Sequence, residues 1–116
     1  MLQLLQQHRS ELANLTPEVQ ANWYYQQAAL MKALGRHQEQ LEAAEQGLAL
    51  LGKEPSLLKV DLLYQLGFAL EMQTQYQQAL QNYQHGMELA TLLDDEKHVL
   101  LGQINHAAVL SAQNKE

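Results

Sequence analysis

Apolar residues recur at intervals of three and four along nearly the whole chain, as in Tyr24, Ala28 and Met31 or Leu63, Leu66 and Leu70. That spacing gathers side chains on one face of an α-helix. Between such stretches lie short runs that read as helix boundaries. Thr16-Pro17-Glu18 combines an N-cap, a proline at the first helical position where a missing N–H costs nothing, and an acid that the helix dipole favours. Glu54-Pro55-Ser56 and Asp94-Asp95-Glu96 read as further starts, and Gly35 and Gly52 as ends. Together these marks predict six helices, over 2–14, 17–34, 37–51, 55–73, 76–93 and 96–112. Connections of a few residues leave each helix antiparallel to the next. The expectation is an all-α chain of helical hairpins.

The hairpins repeat. Laying the run from His37 to Leu48 over that from Tyr76 to Met87 puts Leu41 on Leu80 and Gly47 on Gly86 at a constant shift of 39 residues. The first helices of the hairpins follow less closely, with Tyr24 on Leu63, Ala28 on Gly67 and Met31 on Leu70. At a shift of 40, Ala107 falls on Gly67 and Leu110 on Leu70. A glycine inside a helix gives up about 1 kcal/mol of propensity against alanine, so two at equivalent positions call for a packing reason. Without a Cβ, each lets a neighbouring helix approach closely where the two cross. Two incidental glycines on solvated faces are the plainer alternative, and the matched register around them weighs against it.

Residues 60–93 carry a more specific pattern. Leu66-Gly67, Leu70 three residues further on, Tyr76 at the turn, then Ala79, Tyr83 and Gly86 resemble the tetratricopeptide repeat family. An earlier unit from Ala21 onward departs from that pattern, with Gln27 where a leucine is usual, Gln40 in place of alanine and Ala44 in place of an aromatic. The period of 39 also exceeds the family's usual ~34. The resemblance covers about three-quarters of the chain and implies a single domain built as a short right-handed solenoid of stacked hairpins. It divides into an N-terminal helix over 1–15, a degenerate repeat over 17–52, the best-matching repeat over 55–93, and the first helix of a truncated or capping repeat over 95–113. The Gln-rich and Leu-rich style is similar to regions that precede GGDEF-type diguanylate cyclase domains, which implies a regulatory fragment of a larger bacterial signalling protein.

In that family the first helices of successive hairpins line a concave groove. The positions carried over are Asn22, Tyr25, Ala29 and Lys32, then Asp61, Tyr64, Phe68 and Glu71, then Leu101, Ile104 and Ala108. Such a set suits an apolar helix or an extended peptide. Part of the family grips acidic C-termini with a Lys and Asn clamp, but Tyr25 and Ala29 stand at those positions here. Trp23 is expected to pack on the first helix through Leu5, Leu12 or Leu15, and Val99, Leu100, Leu101 and Ile104 require a cover. That requirement predicts association with another copy, as a homodimer, or with further sequence.

Composition narrows the function. A chain of 116 residues supports one core or one short stack. A net charge of -6 withholds the clustered Lys and Arg that phosphate backbones require, so nucleic acid is not an expected partner. No run approaches the ~20 apolar residues of a membrane span, the first residues lack the basic head and long apolar centre of a signal peptide, and cysteine is absent. These features fit the cytoplasm.

Chemistry finds little purchase. His8, His37, His85, His98 and His106 include no pair four apart, the spacing of a helical zinc chelate, and His98 and His106 stand eight apart. Ser10, Ser56 and Ser111 belong to no nucleophile motif, while Glu39, Glu42 and Glu45 read as a solvated helix face. No cofactor and no metal are expected. The reading is a protein-interaction and regulatory module rather than an enzyme, with a small-molecule sensor controlling an attached output domain as the alternative.

Overall fold

Three of the helices begin where a side chain serves the orphan N–H groups of the first turn. In the structure, a computed structural model that describes residues 14–115, Thr16 Oγ1 accepts from Val19 N at 3.3 Å and Ser56 Oγ from Lys59 N at 3.2 Å. Asp95 Oδ1 accepts from His98 N at 3.1 Å. The described residues form five helices and no strand: α1 (Pro17–Ala33), α2 (His37–Leu50), α3 (Leu57–Met72), α4 (Tyr76–Leu92) and α5 (Glu96–Asn114). The helix expected over 2–14 lies outside the described residues except for its last position. The expected start at Pro55 moves to Leu57, because the Ser56 hydroxyl caps the helix and leaves the proline in the connection. None of the described helices is long and apolar enough to cross a membrane.

One turn is used three times. After α1 the chain reverses through Gly35 at φ 73°, with Gly35 N donating to Lys32 O at 3.0 Å and Arg36 N to Met31 O at 2.8 Å. After α3, Thr74 N donates to Glu71 O at 3.0 Å and Gln75 N to Leu70 O at 2.8 Å. After α4, Asp94 N donates to Thr91 O at 3.1 Å and Asp95 N to Ala90 O at 2.9 Å. This paired closure satisfies carbonyls that a helix end otherwise orphans. It needs a left-handed residue, and Thr74 (φ 59°) and Asp94 (φ 55°) take that conformation without being glycine. The α2 end differs: Leu51 is extended and Gly52 belongs to a longer connection.

Each helix packs on its neighbours in sequence, and α3 also touches α1 and α5. Thus α1, α3 and α5 lie side by side with α2 and α4 behind them, in a slab 44 × 31 × 19 Å whose short dimension is that of two helices, each ~10 Å across. Val60 and Leu63 meet Leu89 and Ala90 in one buried cluster, and Leu70, Ala79, Tyr83 and Val109 form a second.

Glycines set the crossings. A Cβ on Gly47 would come within 2.9 Å of the Leu62 side chain and 3.3 Å of Tyr24 Cβ, and one on Gly67 within 2.8 Å of the Tyr83 ring. A Cβ on Gly86 would run into the Tyr64 ring, and one on Gly102 into the Tyr64 hydroxyl and Met87. Tyr64 of α3 therefore fills a slot left open by α4 and α5 together, and its hydroxyl donates to His98 O at 2.7 Å. At the earlier crossing Leu62 occupies the space facing Gly47; 40 residues on stands Gly102, and the leucine's room goes to the phenol. The Tyr83 ring lies edge-on to Tyr64 at 6.0 Å, and its hydroxyl donates to Glu71 Oε1 at 3.1 Å.

Replacing Gly86 with alanine adds about 1 kcal/mol of helix propensity but drives a methyl into the Tyr64 ring. The expected net effect is a loss of about 1–3 kcal/mol, seen as a lower denaturation midpoint; a gain would mean that the ring does not occupy the slot. Thr74→Gly relieves the left-handed conformation and is expected to raise stability by about 1 kcal/mol, with Gly35→Ala lowering it by a similar amount. Urea titrations of the two variants beside the parent chain read both signs.

Candidate functional site

The N-terminal halves of α1 and α3 bound an open cleft of about 410 Å³. Helical spacing brings Glu18, Val19, Asn22 and Tyr25 of α1 to one wall and Leu57, Leu58 and Asp61 of α3 to the other. Apolar side chains and the Tyr25 ring supply most of the surface. Glu18 and Asp61 supply negative charge, and no Lys or Arg lines the cleft among the described residues.

Asp61 ties this cleft to α5. Its Oδ1 lies 3.0 Å from His98 Nε2, while His98 Nδ1 lies 3.1 Å from Asp95 Oδ2 at an angle that makes no hydrogen bond. Burial pushes the Asp61 carboxyl above the usual carboxylate range, and the attraction of His98 offsets only part of that shift. Asp95 moves the other way, held down first by the backbone N–H of His98 and then by its side chain. The Tyr25 phenol is raised by burial and by the Asp61 charge, against a hydrogen bond with Gln65 that lowers it. Tyr64 is pushed up to about 12, by burial first and then by Asp61 and Asp95, so it keeps the proton it donates to His98 O.

The surface continues along α1 and α3 to a cationic end. Lys32 Nζ sits 4.3 Å from the centre of the Phe68 ring, within cation–π range, and the His37 ring lies 5.7 Å from Phe68. Beneath this end Gln40, fully buried, donates to Gln65 Oε1 at 2.7 Å and Gln65 O at 3.2 Å, with its own Oε1 3.0 Å from His37 Nδ1. Gln40 stands where the repeat has Ala79, and its amide joins α2 to α3 by hydrogen bonds where the later unit uses a methyl group.

The predicted groove residues therefore part company. Asn22, Tyr25 and Asp61 meet in the cleft, Lys32 and Phe68 meet at the far end, and Ala29 lies half-buried on α1 between them. Tyr64 and Glu71 are drawn into helix packing instead: the tyrosine fills the glycine slot, and the glutamate accepts from Tyr83. Leu101, Ile104 and Ala108 are exposed on α5, with Ile104 turned about 200° around the helix from the buried Gly102 and 56% exposed. Trp23 is half-buried and meets Tyr24 edge-on at 5.1 Å; the Leu5 and Leu12 expected beside it lie outside the described residues.

The contacts of His98, Gln65 and Gln40 escape a reading of the sequence, and Asp95 is legible only as a helix start. Asp61 and His98 are 37 residues apart, with no local spacing to pair them. Only the Asp95-to-His98 interval at a helix start carried a signal, that of an N-cap. No protein-family model, curated protein or solved structure matches this chain.

The two aspartates give opposite pH dependence. A raised carboxyl costs stability when ionised, and that cost disappears as pH falls through its folded-state value; a depressed carboxyl adds stability that is lost as pH falls through its own lowered value. Asp61→Asn is therefore expected to raise the thermal midpoint at pH 7 and to reduce the parent chain's gain on acidification toward the ordinary carboxylate range of about 4. Asp95→Asn is expected to lower the midpoint at pH 7. Melts of the three proteins from neutral to acid pH measure both slopes.

Proposed function

We propose that this chain is a protein-interaction module, a short tetratricopeptide-like stack whose α1, α3 and α5 side holds a polypeptide segment. One observation carries the reading: half-buried aromatic side chains, Tyr25 in the cleft and Phe68 at the far end, lie along neighbouring helices with polar residues around them. Partly exposed aromatics set in a wall of packed side chains are the usual anchors of protein interfaces. The 39-residue repeat, the recurring turn and the two-layer order of helices support the stacked-hairpin part of the proposal.

The reading assigns no catalysis. Both ring nitrogens of His98 lie within 3.1 Å of carboxylate oxygens, so neither is placed to take a proton from a substrate. The Ser56 hydroxyl is engaged as a helix cap. General base catalysis needs a ring nitrogen within reach of the proton it abstracts.

Self-association is a second mode, favoured by the outer side of α5. Leu100 and Ile104 are each 56% exposed, and Ala107, Ala108 and Ser111 on the same side are exposed and small, a surface that a helix can approach closely. Such an apolar strip marks a contact surface.

Peptide display tests the first mode. Panning random peptides on the immobilised chain is expected to enrich sequences whose binding is lost in a Tyr25→Ala, Phe68→Ala double variant that keeps its helical signal. Enrichment of nothing, or of peptides indifferent to both substitutions, overturns it. For self-association, light scattering across a concentration range is expected to show mass growing with concentration in the parent chain and not after Ile104→Glu. Equal masses for the two proteins at every concentration dismiss it.

A further inference from the structure

Three cations near the first three helices, Lys32 of α1, Lys59 of α3 and Arg36 in the turn before α2, are committed away from the cleft at the α1–α3 start. Lys59 Nζ donates to Gly52 O at 2.8 Å, Arg36 pairs with Glu39 at 2.7 Å, and Lys32 lies over Phe68 at the opposite end of the surface. The cleft keeps two carboxylates, Glu18 and Asp61, with no Lys or Arg in its lining among the described residues. His98 occupies only Oδ1 of Asp61, and a carboxylate has a second oxygen to offer. Asp61 is thus a partly buried acid, its side chain 29% exposed, next to an opening that His98, its one ion-pair partner among the described residues, does not line.

The walls say what shape of cation fits. Val19, Leu57 and Leu58 give apolar side chains, and Tyr25 an aromatic one. A compact inorganic cation gains nothing from such walls and prefers several oxygen ligands. A lysine or arginine side chain matches them: its methylene stem lies on apolar surface while the charged head stays with carboxylates. Arginine fits best, because a planar guanidinium stacks on an aromatic ring and bridges carboxylate oxygens through paired N–H groups. An open cleft admits a side chain projecting from a backbone that continues along the surface toward Phe68.

We infer that the cleft between Glu18 and Asp61 is the specificity pocket of the groove, and that it takes an arginine side chain of a basic, partly apolar peptide segment. This deepens the groove reading and rests on it. The arginine head lies between the two carboxylates, its stem on Leu57 and Leu58, and the rest of the segment runs over Tyr25 toward Phe68. An inserted guanidinium beside Asp61 favours the ionised carboxylate and lowers its affinity for a proton. A net charge of -6 draws a basic segment in from a distance.

The test uses the full chain and three fluorescein-labelled peptides with the same leucine and alanine positions, carrying arginine, citrulline or glutamate at the remaining ones. Citrulline keeps the shape of the arginine side chain without its charge. Anisotropy titrations are expected to show the arginine peptide binding about tenfold more tightly than the citrulline peptide, below the roughly thirtyfold or more of a fully buried charge pair because Glu18 is exposed. Asp61→Asn and Glu18→Gln, checked for unchanged helical signal, are expected to erase most of that preference. Added salt is expected to weaken the arginine peptide more than the citrulline one.

Two outcomes overturn the inference while sparing the groove. In one, the three peptides bind alike and lose affinity together on Phe68→Ala; in the other, the arginine preference survives both carboxylate substitutions. Saturation by N-acetyl-arginine amide at the same concentration as the peptide replaces a peptide pocket with a small-molecule site and overturns it too. Failure of all three peptides to bind rejects the arginine pocket, and the display experiment then decides separately whether the groove binds anything.

Discussion

A single tyrosine ring fixes how three helices meet. Tyr64 projects from α3 into space that exists only because Gly86 of α4 and Gly102 of α5 carry no Cβ, and its hydroxyl ends on the backbone of His98. Protein interiors tolerate few voids, so a ring of this size and a slot made of two glycines hold each other in place. Its pKa is pushed up to about 12, which keeps the phenol a hydrogen-bond donor throughout the ordinary range of pH. Tyr83 does the same between α4 and α3, over Gly67 and onto Glu71. The polar end of each ring is satisfied, as buried tyrosines require.

The electrostatics of the surface follow from that packing. Tyr64 holds the start of α5 beside α3, and there the His98 ring reaches Asp61 while Asp95 caps the helix beneath it. The two carboxylates flank one imidazole yet shift in opposite directions, because Asp61 is dominated by burial and Asp95 first by the hydrogen bond from the His98 backbone N–H. Charge is therefore uneven along the α1–α3 surface, acidic at Glu18 and Asp61 and basic at Lys32. A surface with such a polarity can set the direction of a bound segment as well as its identity.

The earlier and later hairpins show how one scheme accommodates different residues. Gln40 stands where the repeat has Ala79, and the larger side chain is tolerated because its amide finds Gln65 and His37. A buried amide without those partners would cost about 1–3 kcal/mol. Leu62 and Gly102 make a similar exchange, the one filling its crossing with its own methyl groups and the other leaving room for a ring from α3. The turns tell the same story, since Gly35, Thr74 and Asp94 are three different residues in one left-handed conformation.

Much of this architecture is local and so was written in the sequence. Helix positions follow from apolar spacing, starts from Thr16 and Asp95, and the repeat from Gly47 and Gly86, because each depends on residues within a turn or two or on a fixed period. The shift of one helix start from Pro55 to Leu57 is a matter of which neighbouring residue wins the cap, here Ser56. Asn22, Tyr25 and Asp61 were gathered in advance by the resemblance to the repeat family, which implies that the first helices of successive hairpins line one surface. Tertiary structure alone decided that Tyr64 and Glu71, at the same spacing, turn into the packing, that Gln40 is buried, and that His98 meets Asp61 across 37 residues. Periodicity says which side chains share a face; which of them meets a partner depends on where glycines on other helices leave room.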